Sequence, residues 1–249
     1  MPDVQWMAQI TGEKYDLKLL AEIFTEEPAK IYIIRGEYWL GGSFLNGIIN
    51  SMDVVDKAWG RLELMLGAAR IESGNDSLSA SLCGIYECQD DHGIKTRVLP
   101  LSPATISIGS RISVWLHEPG TSRAYVRAAE EDKHLDFAVR LWADSSRTWP
   151  RLYRILEEVY VSFRNKENEH QSEVLSRFGL VDSKEDYLRF AHSANEVQQA
   201  GKDSRHAMGN NRPPQEAEGL DFISHAEAVQ LVRNCLKRAL EFRSNSSGE

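Results

Sequence analysis

Four polar residues near the end of the chain have side chains suited to acid–base chemistry on a phosphate group. His192 and Asn195 are three positions apart, so they share one face of the helix predicted there. Arg205 and His206 follow after a short gap, and a helical hairpin would bring them toward that face. An imidazole can transfer a proton while a guanidinium holds a phosphate, a combination suited to RNA cleavage. The structural alternative is that Arg205 and His206 cap helix ends and Asn195 fixes the hairpin.

The order of these residues is similar to that in known proteins. A helix with Asn195, the Arg205-His206 pair, a proline-rich loop and a final amphipathic helix resemble the tail of bacterial proteins without an assigned activity. Residues 135–243 are also loosely similar to HEPN helical domains, some of which are metal-independent ribonucleases of toxin or phage-defence systems with an Arg-x4–6-His motif. The resemblance implies that His206 transfers the proton and Arg205 holds the phosphate. Asn195 and His192 would orient the site. Here Arg205 and His206 are adjacent, unlike in that motif.

Nothing in the sequence predicts a cofactor. The glycine turns Gly12-Glu13-Lys14 and Gly41-Gly42-Ser43 lack the spacing of a Walker loop or a dinucleotide-binding fingerprint, so we interpret them as ordinary turns. Zinc-protease, nucleophile-elbow and Cys-x-x-Cys motifs are absent as well. Cys83 and Cys88 are five apart on a predicted strand, which places them on opposite faces, so they make a poor pair of metal ligands.

Composition limits the partners and the location. The chain has 249 residues and a net charge of −8, and it has no basic half or tail with which to bind duplex DNA. Its apolar stretches are shorter than the roughly 20 residues of a membrane-spanning helix. The N-terminus lacks the features of a secretory signal, and three unclustered cysteines favour a reducing compartment. We therefore expect a cytoplasmic protein that binds neither duplex DNA nor a membrane.

The first half of the chain has the pattern of an α+β domain over residues 1–128, with a mixed sheet and one long packed helix. Strands are predicted at 4–11, 82–88, 95–99, 105–108 and 112–117, and 31–35 with 37–40 form either paired strands or one bent strand. A short helix is predicted at 15–24 that begins through Asp16. The last four strands are joined by connections too short for a crossover helix, so they should form an antiparallel meander.

The clearest period in the chain predicts the long helix. Apolar residues recur at alternating spacings of three and four, at Leu45, Ile48, Met52, Val55, Trp59, Leu62, Leu66 and Ala69. A seam of this kind packs against a partner element. We favour a helix that lies across the domain's own sheet over a seam between two chains.

The second half, residues 129–249, has the pattern of an all-helical domain. Helices are predicted around 135–142, 152–163, 173–178 and 187–194, with a last helix that begins at Ser224. Thr148, Ser183 and Ser224 stand at predicted helix starts, and Gly179 at a helix end.

The absence of a complete catalytic motif favours a non-enzymatic interaction or regulatory protein of bacterial type. It would act through helical surfaces on a protein partner or on a second copy of itself. The alternative is the HEPN-like ribonuclease, which would bind RNA. A third option is ligand sensing in a pocket of the N-terminal sheet lined by Tyr32, Tyr38 and Trp39.

Overall fold

The computed structural model describes residues 5–90, 93–98, 119–195 and 220–246. The chain divides into two compact units, Met1–Arg123 and Ala124–Glu249, which we call the N-terminal and the C-terminal unit. The N-terminal unit contains a sheet and helices, and the described part of the C-terminal unit is helical. The predicted α+β class with a helical C-terminal region is therefore confirmed.

The N-terminal sheet has five described strands in the order β2-β3-β1-β4-β5. They are β1 (Gln5–Thr11), β2 (Lys30–Ile34), β3 (Glu37–Gly41), β4 (Ser81–Asp90) and β5 (Gly93–Val98). Each described pair is antiparallel, whereas a mixed sheet was predicted. Strands β1 and β2 run in the same direction, as do β3 and β4, but another strand lies between the two members of each pair. Ala8 of β1 lies between Leu40 of β3 and Tyr86 of β4, and all three are buried on one face. The predicted strands at 105–108 and 112–117 lie outside the described residues.

The register of the β2–β3 hairpin determines which face of the sheet each aromatic residue of the predicted pocket occupies. Arg35 and Gly36 both have positive φ angles, 54° and 85°, as a tight two-residue hairpin turn requires. The resulting register pairs Tyr32 with Trp39 and Ile33 with Tyr38. Successive strand residues point to opposite faces, so Tyr38 cannot share a pocket with Tyr32 and Trp39. The pocket prediction was wrong for this reason.

Two helices accompany the sheet, α1 (Lys14–Ile23) and α2 (Ser51–Ser73). Helix α1 does not begin through Asp16 as predicted, because Glu13 occupies the N-cap and Asp16 lies within the first turn. The buried Asp16 carboxylate instead accepts hydrogen bonds from the Ser79 amide at 2.9 Å and the Ser79 hydroxyl at 3.3 Å. Burial outweighs these bonds and raises the pKa of Asp16. Arg70 of α2 donates from Nε to the Leu78 carbonyl at 2.8 Å. Both contacts hold the segment that leads into β4.

The sequence pattern did not predict α3 (Pro119–Glu130), and the division between the two units falls inside this helix. The C-terminal unit continues with five further described helices. They are α4 (Lys133–Ala143), α5 (Trp149–Phe163), α6 (Gln171–Arg177), α7 (Lys184–Asn195) and α8 (His225–Ser246). Most of their predicted apolar positions are buried, among them Leu135, Trp142, Ile155 and Val232.

Helix starts in the C-terminal unit follow the capping residues in the sequence. Ser183 accepts a hydrogen bond from the Asp186 amide at 3.0 Å, and its hydroxyl donates to the Asp186 carboxylate at 2.7 Å. Ser224 and Glu227 form a reciprocal capping box at the start of α8, with N–O distances of 2.7 and 3.2 Å. None of the helices in the described ranges combines the length and apolar character needed to cross a membrane.

Candidate functional site

The buried face of α2 is rotated from the predicted seam. The helix begins at Ser51, where the Asn50 side chain caps it by accepting from the Met52 amide at 3.1 Å. Residues 43–50 form a short 3-10 turn and a loop, in which the Ile48 carbonyl accepts from the Trp6 indole at 2.8 Å. Its buried positions run through Val54, Ala58, Leu62, Met65 and Ala69. Met52 and Trp59, two predicted seam residues, are left on the outside.

Three large apolar side chains are exposed along this part of the chain. Ile49 is 84% exposed, Met52 54% and Trp59 42%. Ile49 directly precedes the helix cap but is too exposed to pack on the fully buried Val54 as a hydrophobic staple would. The Trp59 indole donates to the Glu63 carboxylate at 2.9 Å. We call Ile49, Met52 and Trp59 the α2 stripe.

Acidic side chains border the α2 stripe on one side. With about 100° of rotation per residue, Asp56 and Glu63 lie within about 40° of Met52, and Asp53 lies about 100° away in the same direction. The opposite side of the stripe carries Val55 and the buried Leu62. We call Asp53, Asp56 and Glu63 the acidic flank.

The nearest cations on α2 lie beyond the acidic flank. Lys57 is exposed and about 140° around the helix from Met52. Arg61 lies farther round, with its guanidinium carbon 5.1 Å from the centre of the Phe44 ring. The part of the α2 surface next to the stripe is therefore negative.

The structure places two of the four predicted catalytic residues on one helix face. His192 and Asn195 both lie in the last turn of α7. The His192 Nδ1 and Asn195 Oδ1 atoms are buried and have no hydrogen-bond partner among the described residues. The His192 ring packs against Phe222 with a centroid distance of 4.6 Å. Arg205 and His206 lie outside the described residues, so the predicted convergence of the four side chains stays a prediction.

A chain segment is fixed beside these two residues. Ser193 accepts a hydrogen bond from the Ile223 amide at 2.9 Å, while its hydroxyl donates to the Arg189 carbonyl at 2.9 Å. Arg189 donates from Nε to the Asp221 carbonyl at 3.2 Å. The end of α7 and the segment before α8 thus form one frame that holds the His192 and Phe222 rings together.

A cavity of about 240 Å³ lies between α7 and α8 and is lined in part by Arg189 and Ile223 of this frame. Its lining includes Asp186, Arg189, Glu227 and Arg238. These charges already have partners: Arg238 contacts Asp182 at 2.6 Å, and the capping bonds described above occupy Asp186 and Glu227. The hydrogen bonds from Ser224 also lower the pKa of Glu227. These charged groups of the lining are therefore already hydrogen-bonded or ion-paired within the protein.

The Gly41-Gly42-Ser43 turn binds the protein's own carboxylate. The Ser43 amide donates to Glu27 Oε2 at 2.7 Å, and Lys30 lies 3.0 Å from the other oxygen. The hydrogen bond from the Ser43 amide lowers the pKa of Glu27 most, and the hydrogen bond from Lys30 lowers it further. A Cβ atom at Gly42 would lie 2.3 Å from the Pro28 carbonyl oxygen, so the glycine permits this close approach.

The cysteines occupy separate environments. Cys83 is exposed and 3.3 Å from Gln9 Oε1, whereas Cys88 and Cys235 are buried, and all three are free thiols. Burial raises the pKa of Cys235 to about 12. Within the described ranges, no group of three or more His, Cys, Asp or Glu side chains is arranged to hold a metal ion.

Comparison with known proteins adds no relative: no protein-family model, curated protein or solved structure matches the chain. The physical features of the α2 stripe and of the α7 end are therefore the basis for assigning a function.

Proposed function

We propose that this chain is a non-enzymatic interaction protein that binds a partner through the α2 stripe. The observation that supports this proposal is the difference in burial between the two halves of α2. The second half of α2 is almost entirely buried, whereas its first turns present Met52 and Trp59 to solvent next to Ile49. Exposed apolar groups clustered on one surface mark interaction sites more often than isolated ones do.

The grouping distinguishes the stripe from other exposed apolar side chains. Among the described residues, the rest occur one to an element. Tyr15 lies on α1, Ile33 on β2, Phe137 on α4, Phe222 before α8 and Phe242 on α8. Met52 and Trp59 are seven positions apart on α2, which places both on one face of the helix, and Ile49 lies just before the helix cap. Tryptophan and methionine are also enriched at protein interfaces.

We also propose that the chain has a regulatory role in a bacterial cytoplasm. Three free cysteines suit a reducing compartment, and the C-terminal tail resembles that of bacterial proteins.

Photocrosslinking tests the proposal. We expect a benzophenone amino acid at Ile49 to give a discrete adduct in cells of the source organism. The same probe at Glu22, an exposed position of α1, should give none of that size. Equal adduct patterns from the two positions would contradict the proposal.

A ribonuclease is the second candidate, favoured by the two buried polar atoms of the α7 end. A buried imidazole nitrogen and amide oxygen that lack partners among the described residues cost free energy, and active sites often retain such groups. In this candidate His206 transfers the proton and Arg205 binds phosphate, with His192 and Asn195 orienting them. The residue spacing still departs from the HEPN motif.

Incubation with total RNA tests the second candidate. Cleavage is expected for the wild-type chain and a loss of at least about 100-fold for His206→Ala, the usual contribution of a general acid or base. His170→Ala, outside the predicted site, serves as the matched control. RNA that stays intact with the folded wild-type chain would eliminate this candidate.

A further inference from the structure

The acidic flank bears on what the α2 stripe binds, and the argument rests on the proposed function above. Asp53 and Asp56 are exposed, and Glu63 is half-buried beside Trp59. They follow one side of the stripe for about three turns of helix. A bound partner must place its own side chains against these carboxylates, because like charges across an interface are unfavourable.

We infer that the stripe binds an amphipathic helix whose apolar face is bordered by lysine or arginine. The stripe comprises Ile49 in the loop before α2 and Met52 and Trp59 on the helix, which are about 10 Å apart along the axis at 1.5 Å per residue, so about three turns of a partner would cover it. Apolar residues at alternating spacings of three and four on that partner would contact Ile49, Met52 and Trp59. Its basic border would lie on Asp53 and Asp56.

A second copy of this chain fits the surface poorly. Two antiparallel α2 helices related by a two-fold axis would bring each acidic flank against the other. Two parallel helices would bring the acidic flank against the side with Val55 and Leu62, which offers no cation. The charge distribution therefore favours a different, basic partner.

Two synthetic peptides test the inference. Both are 18-residue helices with leucine at the same positions, bordered by lysine in one and by glutamate in the other. The wild-type chain is expected to bind the lysine peptide at least about 10-fold tighter than the glutamate peptide in low salt. Asp53→Lys/Asp56→Lys should reverse that preference. Met52→Asp should weaken binding of both peptides.

A matched variant distinguishes the effect of the charges beside the stripe from the effect of the net charge of the protein. Glu22→Lys/Glu185→Lys changes the net charge by the same amount at two exposed positions, one on α1 and one on α7. This variant should keep the preference of the wild-type chain. If it reversed the preference as the Asp53→Lys/Asp56→Lys variant does, the inference would be overturned.

The outcomes distinguish the inference from the proposed function. Equal affinity for the two peptides, lost with Met52→Asp, would overturn the basic partner and leave the stripe as an interface. Binding that Met52→Asp does not change would overturn the inference, and Ile49 crosslinks would then decide the proposed function independently.

Discussion

Replacing Trp142 by alanine is expected to lower the free energy of unfolding of the C-terminal unit by about 3–5 kcal/mol, the range for removing a large buried aromatic side chain. The Trp142 ring is fully buried in α4, and the Arg147 guanidinium carbon lies 4.0 Å from its centre. Its indole nitrogen has no hydrogen-bond partner among the described residues, so lost packing should dominate. Urea denaturation followed by circular dichroism, with hydrogen exchange of α4 and α5, measures the change.

Phe137 supplies the control on the same helix. It is 44% exposed, so Phe137→Ala should lower the free energy of unfolding by less than about 1 kcal/mol. Similar losses for the two variants would contradict the assignment of Trp142 to the core.

The second large effect is expected at the turn after β3. Gly42→Ala should lower the free energy of unfolding of the N-terminal unit by at least about 3 kcal/mol, because φ is +132° there and the added Cβ would meet the Pro28 carbonyl. Both the backbone angle and the contact oppose any side chain. Thermal unfolding of the purified chain measures this loss.

Gly47 separates the two causes. Its φ is +72°, and a Cβ there would meet nothing within 4 Å, so Gly47→Ala should cost only the backbone strain of about 1–2 kcal/mol. A Gly42→Ala variant no less stable than Gly47→Ala would show that the close approach to Pro28 does not matter.

The spacing of apolar residues and the presence of helix-capping residues predicted most of the described elements. Alternating apolar residues indicated β1 and β4, and Ser183, Ser224 and Gly179 marked helix ends because their local hydrogen bonds or backbone angles are set by residue type. The pattern failed for α3, because no helix was predicted between the strand at 112–117 and the helix near Leu135. Asp16 was wrongly predicted to start helix α1. Its carboxylate accepts a hydrogen bond from the amide of Ser79, which is distant in sequence, and local sequence cannot reveal such a contact.

The candidate sites were only partly predictable. The spacing of His192 and Asn195 correctly placed them on one helix face, but the sequence could not reveal that Phe222 packs on the histidine ring. The predicted α2 seam contained Met52 and Trp59 yet treated them as buried. Their exposure depends on the rotation of α2 about its axis, which buries Val54 and Ala58 in the first turns instead. The acidic flank becomes visible only once that phase is known.

The affinity of the crosslinked partner for a stripe variant tests the central claim most directly. The partner joined to position 49 would be purified and titrated into the wild-type chain and into Met52→Asp/Trp59→Asp. Two interface anchors of about 2 kcal/mol each predict a loss of at least about 100-fold, with the thermal stability of the variant unchanged. An unchanged affinity would contradict the account, because the partner would then not depend on the α2 stripe.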